Sequence, residues 1–503
     1  MTDAMPIEPT AQNTKFAQAK TLYDRGLAAF EQQNFSQAED LLQQAIALYP
    51  TEDYCIQLGI VYGVQNKDND ALTWFQQAIS LNPKNYAPYF NIANVLQGQR
   101  LLDQALDYYQ YAFTLNPHFA ATYNHVGDIL YIQEKYDRAI AYYQQSLILQ
   151  PDSYETLLNL GKSYYRNGQQ TQAVQYYQRA INLQPNAAEA HFALSLSLLL
   201  LGNYQEGWQK YEYRLQLPEG GVKLPVFQRP RWDGSPLNGR RLLVLCEQGL
   251  GDTLQFSRYL PLIQGGTVIF TCQTALLPLF ENFVGIAELV EYEDKEPNID
   301  YDVYVPLMSL PALFHTTLIT IPNQVPYLHV SQAKLAQWQP RFDRQKLNIG
   351  IVWSGNPQFI DNHNRSCQLA DFMPLAQIPG IQLYSLQKGL AAQQQLTELS
   401  IIYLNDELQD FADTTAVLRC LDLLISVDTS VPHLAGALGT PVWLLLKYVP
   451  DCRWLLERND SPWYPTMRLF RQPSPKNWLP VFQAVTTALQ QQLENSVNLP
   501  NHL

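Results

Sequence analysis

Five prolines govern the first two-fifths of the chain. Pro50, Pro83, Pro117, Pro151 and Pro185 stand 33, 34, 34 and 34 residues apart by subtraction, and each closes the same phrase: AIALYP, AISLNP, AFTLNP, SLILQP and AINLQP. A small residue recurs twelve positions before each proline (Ala38, Ala71, Ala105, Ala139, Ala173) and another five before it (Ala45, Ala78, Ala112, Ser146, Ala180). Glycine or alanine recurs 24 before it, at Gly26, Gly59, Ala93, Gly127 and Gly161. A fixed period of this size marks stacked structural units. Two antiparallel helices per unit fit it. Small residues let the helix backbones approach closely, and the proline ends the second helix and sets the turn into the next unit. Phe75, Tyr109, Tyr143 and Tyr177 are then expected to fill the gaps between helices.

These units resemble the tetratricopeptide repeat. Five full ones cover about Ala19 to Pro185, and a sixth, from Glu189 to about Arg214, has lost the consensus at several positions and reads as a cap or junction. The expected organisation is an N-terminal tail at 1–18 and an all-α solenoid at 19–217 that holds a protein or peptide partner. Tyrosines stand mostly in pairs (Tyr108 and Tyr109, Tyr142 and Tyr143, Tyr176 and Tyr177). Packing between helices is one use for them; lining a peptide groove with the outer member is another.

A chain of 503 residues is too long for one core, so about three domains are expected. Only 16% of residues are charged and 47% are hydrophobic, a composition that folds. The net charge of −13 argues against nucleic acid, which needs clustered Lys and Arg. Six cysteines without a CxxC pair suit reduced, buried thiols and a cytoplasmic location. No basic stretch followed by an apolar run opens the chain, and the apolar run near Leu194 to Leu201 is too short to span a bilayer.

After Leu217 the pattern changes. Pro218, Gly220, Gly221, Pro225, Pro230, Gly234, Pro236 and Gly239 mark a linker over 218–240. Short apolar runs follow: LLVLC (242–246), VIFTC (268–272), VYVPL (303–307), NIGIVWS (348–354), IQLYSL (381–386), LLISV (423–427) and VWLLL (442–446). Helical stretches alternate with them, so these are strands of buried parallel sheets in an α/β region. A break near 325–347 divides it into domains at 241–335 and 346–490, with a C-terminal tail at 491–503.

Three segments fall at strand ends, where open parallel sheets bind ligands. Glu247-Gln248-Gly249-Leu250-Gly251-Asp252 matches a GxGxxG fingerprint only in part, because Leu254 takes the third glycine's place. Asp252 is either a helix N-cap or a general base. Trp353-Ser354-Gly355-Asn356-Pro357 leads to Asn362, His363, Arg365 and Ser366; Arg365 could fork onto a phosphate or simply face solvent. In the third segment, Val427 to Gly439, Asp428, Thr429 and Ser430 open a helix whose free N–H groups attract phosphate. His433 follows one turn later, as a core residue or a site residue.

Together EQGLGD, WSGN with HNRS, SLQKG (385–389), DFADTTA (410–416), DTSVPHLAGALG and YVPDCRWLLERNDSPWYP resemble the heptosyltransferase-like glycosyltransferases (family 9), in the bacterial branch that carries N-terminal tetratricopeptide repeats. The similarity runs from about Pro230 to Gln472. It implies two Rossmann-like domains facing a cleft, the GT-B fold. It also implies an inverting, metal-independent transfer from a nucleotide-diphosphate sugar, the donor substrate, with no cofactor. On that likeness Asp252 is the catalytic base, and Gly249, Gly251, Ser354, Asn356, Arg365, Gln387, Lys388, Asp428, Thr429, Ser430 and His433 bind the donor. The acidic residue that usually holds the ribose has no obvious counterpart, so the base stays open. The alternatives are a repeat adaptor with an inactive transferase half, a transferase for glycan or lipid-linked acceptors, and an O-linked N-acetylglucosamine transferase. The last shares the architecture, but the chain lacks a clear match to its catalytic motifs.

Overall fold

The computed structural model describes residues 11–218, 222, 224–396 and 400–497. Residues 1–10 of the expected N-terminal tail, Gly220 and Gly221 of the linker, and 498–503 of the expected C-terminal tail lie outside the described residues. By Cα proximity the chain forms two compact units, Met1–Asn167 with Asn182–Gln184, and Gly168–Ile181 with Pro185–Leu503.

The first unit is helical: α1 (Ala11–Glu31), α2 (Phe35–Leu48), α3 (Glu52–Val64), α4 (Asp68–Leu81), α5 (Ala87–Gly98), α6 (Leu102–Leu115), α7 (Ala120–Ile132), α8 (Tyr136–Leu149) and α9 (Tyr154–Arg166). Helices pack in pairs, α1 on α2 through α7 on α8, and each pair on the next. The small-residue positions do what their spacing implies. Ala38, Ala71, Ala105 and Ala139 are fully buried, as are Ala45, Ala78 and Ala112. Gly59 and Gly127 face the rings of Phe75 and Tyr143, where a Cβ would come within 2.5 and 2.7 Å of ring carbons. Tyr109 and Tyr143 are buried to 1% exposure or less, so the inner tyrosine of each pair is core. The residue before each proline (Tyr49, Asn82, Asn116, Gln150) is extended, which stops the helix there. The first helix starts at Ala11, so 11–18 is helix and not tail.

The second unit holds α10 (Gln170–Leu183, as far as Ile181), α11 (Ala188–Leu200) and α12 (Tyr204–Tyr211), then two all-parallel sheets. The first sheet has β1 (Arg241–Leu245), β2 (Thr267–Cys272), β3 (Glu288–Glu291) and β4 (Val303–Pro306) in the order β3-β2-β1-β4. Around it run α13 (Leu250–Phe256), α14 (Leu277–Phe280) and α15 (Leu310–Leu313). Then come α16 (Gln332–Trp338), α17 (Asn362–Arg365), α18 (Met373–Ala376), α19 (Phe411–Cys420), α20 (Ser430–Ala437) and α21 (Leu479–Val497). The second sheet has β5 (Leu347–Val352), β6 (Ile381–Ser385), β7 (Ile401–Tyr403), β8 (Leu423–Val427), β9 (Val442–Leu446) and β10 (Met467–Arg471) in the order β10-β9-β8-β5-β6-β7.

Two further expected boundaries move. Residues 332–335, placed with the first α/β domain, belong to α16, which packs on α19. There Lys334 Nζ and Trp338 Nε1 donate to Asp413 Oδ1 at 2.7 and 3.0 Å. The last helix runs to Val497, so 491–497 is not tail. α11 and α12 fall in the compact unit that also holds the sheets.

Candidate functional site

Strand order reverses beside β1 in the first sheet and beside β5 and β8 in the second, which is where a crevice opens at the strands' carboxyl ends. A cavity of about 710 Å³ lies there. The turn after β1 brings Glu247, Gln248, Gly251 and Asp252 to it, and the turn after β8 brings Asp428, Thr429 and, one helical turn on, His433. The two turns abut. A Cβ on Gly251 would stand 2.9 Å from His433 Cδ2 and 3.6 Å from Ser430 Cα, so this glycine is needed for α13 to approach α20.

Arg453, which the sequence reading passed over, is the centre of the charge pattern. Its guanidinium donates to Asp252 Oδ1 at 2.8 Å and to Asp451 Oδ1 at 2.7 Å. Burial works against its charge, but Asp451, Asp252 and Asp428 outweigh that and hold it protonated. Asp252 is not the N-cap of α13, which is Gly249; it is the third residue of the helix, and its Oδ2 accepts the Gly249 N–H at 3.0 Å beside the ion pair. Burial, with Asp451 adding to it, pushes Asp428 above the usual carboxylate range, although Trp454 Nε1 donates to its Oδ2 at 2.8 Å. Burial and then Arg453 hold His433 well below the ordinary histidine value, so it is neutral. Its Nδ1 lies 3.0 Å from Tyr464 Oη, and its ring stacks on Trp454 at 5.3 Å. Thr429 Oγ1 is buried without a partner.

Other expected site residues stand apart. Arg365 sits behind the cavity, donating to the Asp428 carbonyl at 3.1 Å and to Asn362 Oδ1 at 3.1 Å, over the ring of Phe359. Gly355 makes room for it: a Cβ there would meet Arg365 Nη2 at 2.3 Å. Gln387 is a buried staple. Its Oε1 accepts from the Trp353 and Ser354 N–H groups, and its Nε2 donates to the Ser354 and Lys388 carbonyls. Lys388 Nζ donates to the carbonyls of Asn405 and Leu408, tying down the loop after β7. Ser354 pairs with Ser366, and Asn356 is exposed, its Oδ1 accepting from Gln358 N–H. Among the described residues, Ser354, Asn356, Gln387 and Lys388 do not line the cavity. No group of three or more His, Cys, Asp or Glu among them is placed to hold a metal ion.

The terminal helix pair forms one wall. Phe192 and Leu196 of α11 and Trp208 and Tyr211 of α12 line the cavity. Arg214, 1% exposed, donates to Glu247 Oε1 at 2.7 Å and to Ser309 Oγ at 2.9 Å. Gln248 Nε2 donates to Tyr211 Oη at 3.1 Å, and Trp463 Nε1 to Tyr204 Oη at 3.1 Å. The sequence signal for this wall is the aromatic run from Tyr204 to Tyr213, in the unit whose consensus had faded.

In the first unit a second pocket, about 430 Å³, opens among α6, α7 and α8, with Tyr123, Tyr142, Asp107 and Arg138 on its walls. An outer tyrosine therefore does line a pocket, while Tyr111 is 60% exposed. No described helix is long and apolar enough to cross a membrane.

Sequence models of the tetratricopeptide repeat match residues 19–52, 118–186 and 158–216. The helix pairs are tetratricopeptide repeats, and such repeats are protein-interaction scaffolds that bind peptides or proteins. Protein FlbA of Caulobacter vibrioides is 27% identical over 322 residues, covering 56% of this chain and 52% of that protein, so the chain spans about half its relative's length. A solved structure of Pseudomonas aeruginosa PilF is similar at 18% identity with a TM-score of 0.39, over 41% of this chain and 95% of that one. A tetratricopeptide repeat protein from Parabacteroides merdae is similar at 17% identity with a TM-score of 0.35, over 40% and 80%.

Proposed function

We propose that the second unit is a glycosyltransferase. On this reading its two sheets are Rossmann-like halves of a GT-B fold. The unit moves a sugar from a nucleotide-diphosphate sugar to a protein acceptor recruited by the repeats, in the cytoplasm, with inversion and without a metal ion. The observation that carries the reading is the meeting of two strand-to-helix turns, EQGLGD and DTSVPH, at one cavity, with Arg453 bound to the Asp252 carboxylate between them.

The chemistry is a direct displacement. The acceptor oxygen bonds to the anomeric carbon as the bond to the diphosphate oxygen breaks. The acceptor proton passes to Asp252, and the leaving diphosphate takes the electron pair. The N–H groups that open α20, the unpartnered Thr429 hydroxyl and Arg453 are the groups that can meet that charge, with Arg365 behind them. Asp252 Oδ1 is held by Arg453, so its work as a base requires Arg453 to turn towards the diphosphate. Gln387 and Lys388 hydrogen-bond to backbone groups of the loops beside the cavity.

A thermal-shift screen against nucleoside diphosphates and their sugars, with and without EDTA, tests the reading. A ligand that binds only the folded chain raises Tm. At least one is expected to do so with EDTA present. Asp252→Asn should abolish transfer while leaving donor binding within a few-fold. The adaptor reading draws support from the engagement of both Asp252 oxygens, and a screen in which no nucleotide shifts Tm would establish it over the transferase.

A further inference from the structure

One aromatic ring meets the cavity from the second-sheet side. Phe359 stands in the loop between β5 and α17, lines the cavity and is 48% exposed. Among the described residues from Leu347 onward, it is the only large apolar side chain on the cavity wall. Its backbone is held on both sides. The N–H donates to the Asn356 carbonyl at 3.1 Å, and the carbonyl accepts the Asn362 N–H at 2.9 Å. Two residues on, Asp361 pairs with Lys447, just past β9, and accepts from Asn364 Nδ2 at 2.8 Å. The Arg365 guanidinium covers the ring at 4.4 Å and is itself tied to the Asp428 carbonyl and Asn362 Oδ1. A lone exposed phenylalanine calls for no ligand. A ring fixed through its backbone, backed by a guanidinium and half-open to a cavity is a built platform for a flat group.

We infer that Phe359 is the base-stacking platform of the donor site, and that its ring takes the purine or pyrimidine of a nucleoside diphosphate. The inference rests on the transferase reading for the diphosphate, and on the cavity alone for the flat ligand. Placement selects a base over other apolar groups. Arg365 joins the ring to the turn Asp428-Thr429-Ser430, where α20 opens and attracts anions. A nucleoside diphosphate carries its base one ribose away from its diphosphate, and the ring stands one guanidinium away from that turn. The acceptor oxygen has to reach Asp252, which the turn after β1 supplies and the second-sheet loops do not. Stacking also suits a loop whose own carboxylate, Asp361, is engaged by Lys447 and Asn364 instead of standing ready for a ribose. Every base has a π-face, so such a platform accepts any base and reads none of their edges.

The test is calorimetry on the full chain with ADP, pyrophosphate and adenosine. ADP is expected to bind the wild type at least tenfold more tightly than pyrophosphate does. Phe359→Leu keeps apolar bulk over Arg365 and removes the ring. It should weaken ADP about tenfold, the order that loss of one base–aromatic stack costs, and leave pyrophosphate unchanged. Phe359→Trp should restore ADP binding. Its added indole emission should be quenched by adenosine and by ADP, but not by pyrophosphate or by the blocked tripeptide Ala-Leu-Ala. Equal ADP affinity in wild type and Phe359→Leu, equal weakening of ADP and pyrophosphate, or quenching by the peptide and not by adenosine overturns the inference. The last outcome would give the ring to the acceptor. The wild-type comparison of ADP with pyrophosphate holds even if a variant fails to fold, and equal affinities there also overturn it. The two readings fail separately. Diphosphates that bind wild type and Phe359→Leu alike sink this inference alone. Quenching by adenosine with no response to either diphosphate sinks the transferase reading and leaves the platform standing, and silence from all three probes sinks both.

Discussion

Gly127 lies against Tyr143 in the helix pair α7–α8, and Gly207 lies against Leu199 in the pair α11–α12. In each pair a glycine admits a large side chain between the helices. The pairs differ in what they do with their remaining polar and aromatic groups. In α7–α8 these groups serve the solenoid: Tyr143 Oη donates to Asp128 at 2.6 Å, and Asn159 of α9 donates to the same carboxylate at 3.0 Å. In α11–α12 and the turn after them they reach loops beside the sheets, through Tyr204 with Trp463, Tyr211 with Gln248, and Arg214 with Glu247. The repeat pattern fixes how two helices meet. It leaves the outer face free, and the last pair uses that face to build a cavity wall.

Cutting the chain sharpens this comparison most. Removing residues through Leu217 strips the wall and leaves Glu247 buried without Arg214. The remainder should fail to unfold cooperatively, as followed by calorimetry, whereas removal through Asn167 should leave a folded second unit. A cooperative transition from a chain that starts after Leu217 would break the comparison. The single change Arg214→Ala isolates the same effect and should cost on the order of 3–5 kcal/mol in urea unfolding, the range for breaking a buried ion pair. Exposed Arg138→Ala, on α8, should stay within about 0.5 kcal/mol.

Glycine substitutions come next. Gly127→Ala drives a methyl into the Tyr143 ring and should lower stability by about 1–3 kcal/mol, the usual cost of overpacking. Gly251→Ala meets His433 across the cavity instead, so it should depress nucleotide binding, measured by calorimetry, more than it depresses Tm.

What the sequence made legible follows from the same contrast. Alanines and prolines at fixed spacing reveal the helix pairs because a solenoid repeats its steric needs. Fully buried strands such as β8 and β9 were visible as unbroken apolar runs. Three strands were missed. β3 and β7 are short edge strands, and β10 interleaves Arg468 and Arg471 with its apolar residues. The turns inside the repeats also hid their geometry. Gln33, Asn66, Arg100, Glu134, Gly168 and Gly202 all take positive φ at the same point of successive units, yet only two are glycines. At the site, Asp252, Gly251, Asp428, Thr429 and His433 could be placed because strand-to-helix turns mark themselves. Arg453 could not, since its role depends on Asp252, far away in the chain. Gln387 and Lys388 looked like ligand groups because polar side chains at a strand end look the same whether they bind a ligand or the backbone.

Asp128 provides the smallest and most specific contrast, since it lies in the regular pair and has no equivalent in the terminal one. Burial raises its pKa from 3.8 to about 6, against the hydrogen bonds from Tyr143 and Asn159 that favour its charged form. The folded chain therefore binds this proton more tightly than the unfolded chain. The stability linked to it is fully present below about pH 3.8 and is lost as the pH rises through about 6. Asp128→Asn removes the dependence. Between about pH 5 and pH 7.5 the native chain should lose about 1 kcal/mol relative to the variant, an order-of-magnitude figure from the linkage relation. Paired urea melts of the two proteins at the two pH values measure it. An unchanged difference would mean that Tyr143 and Asn159 fully compensate the burial.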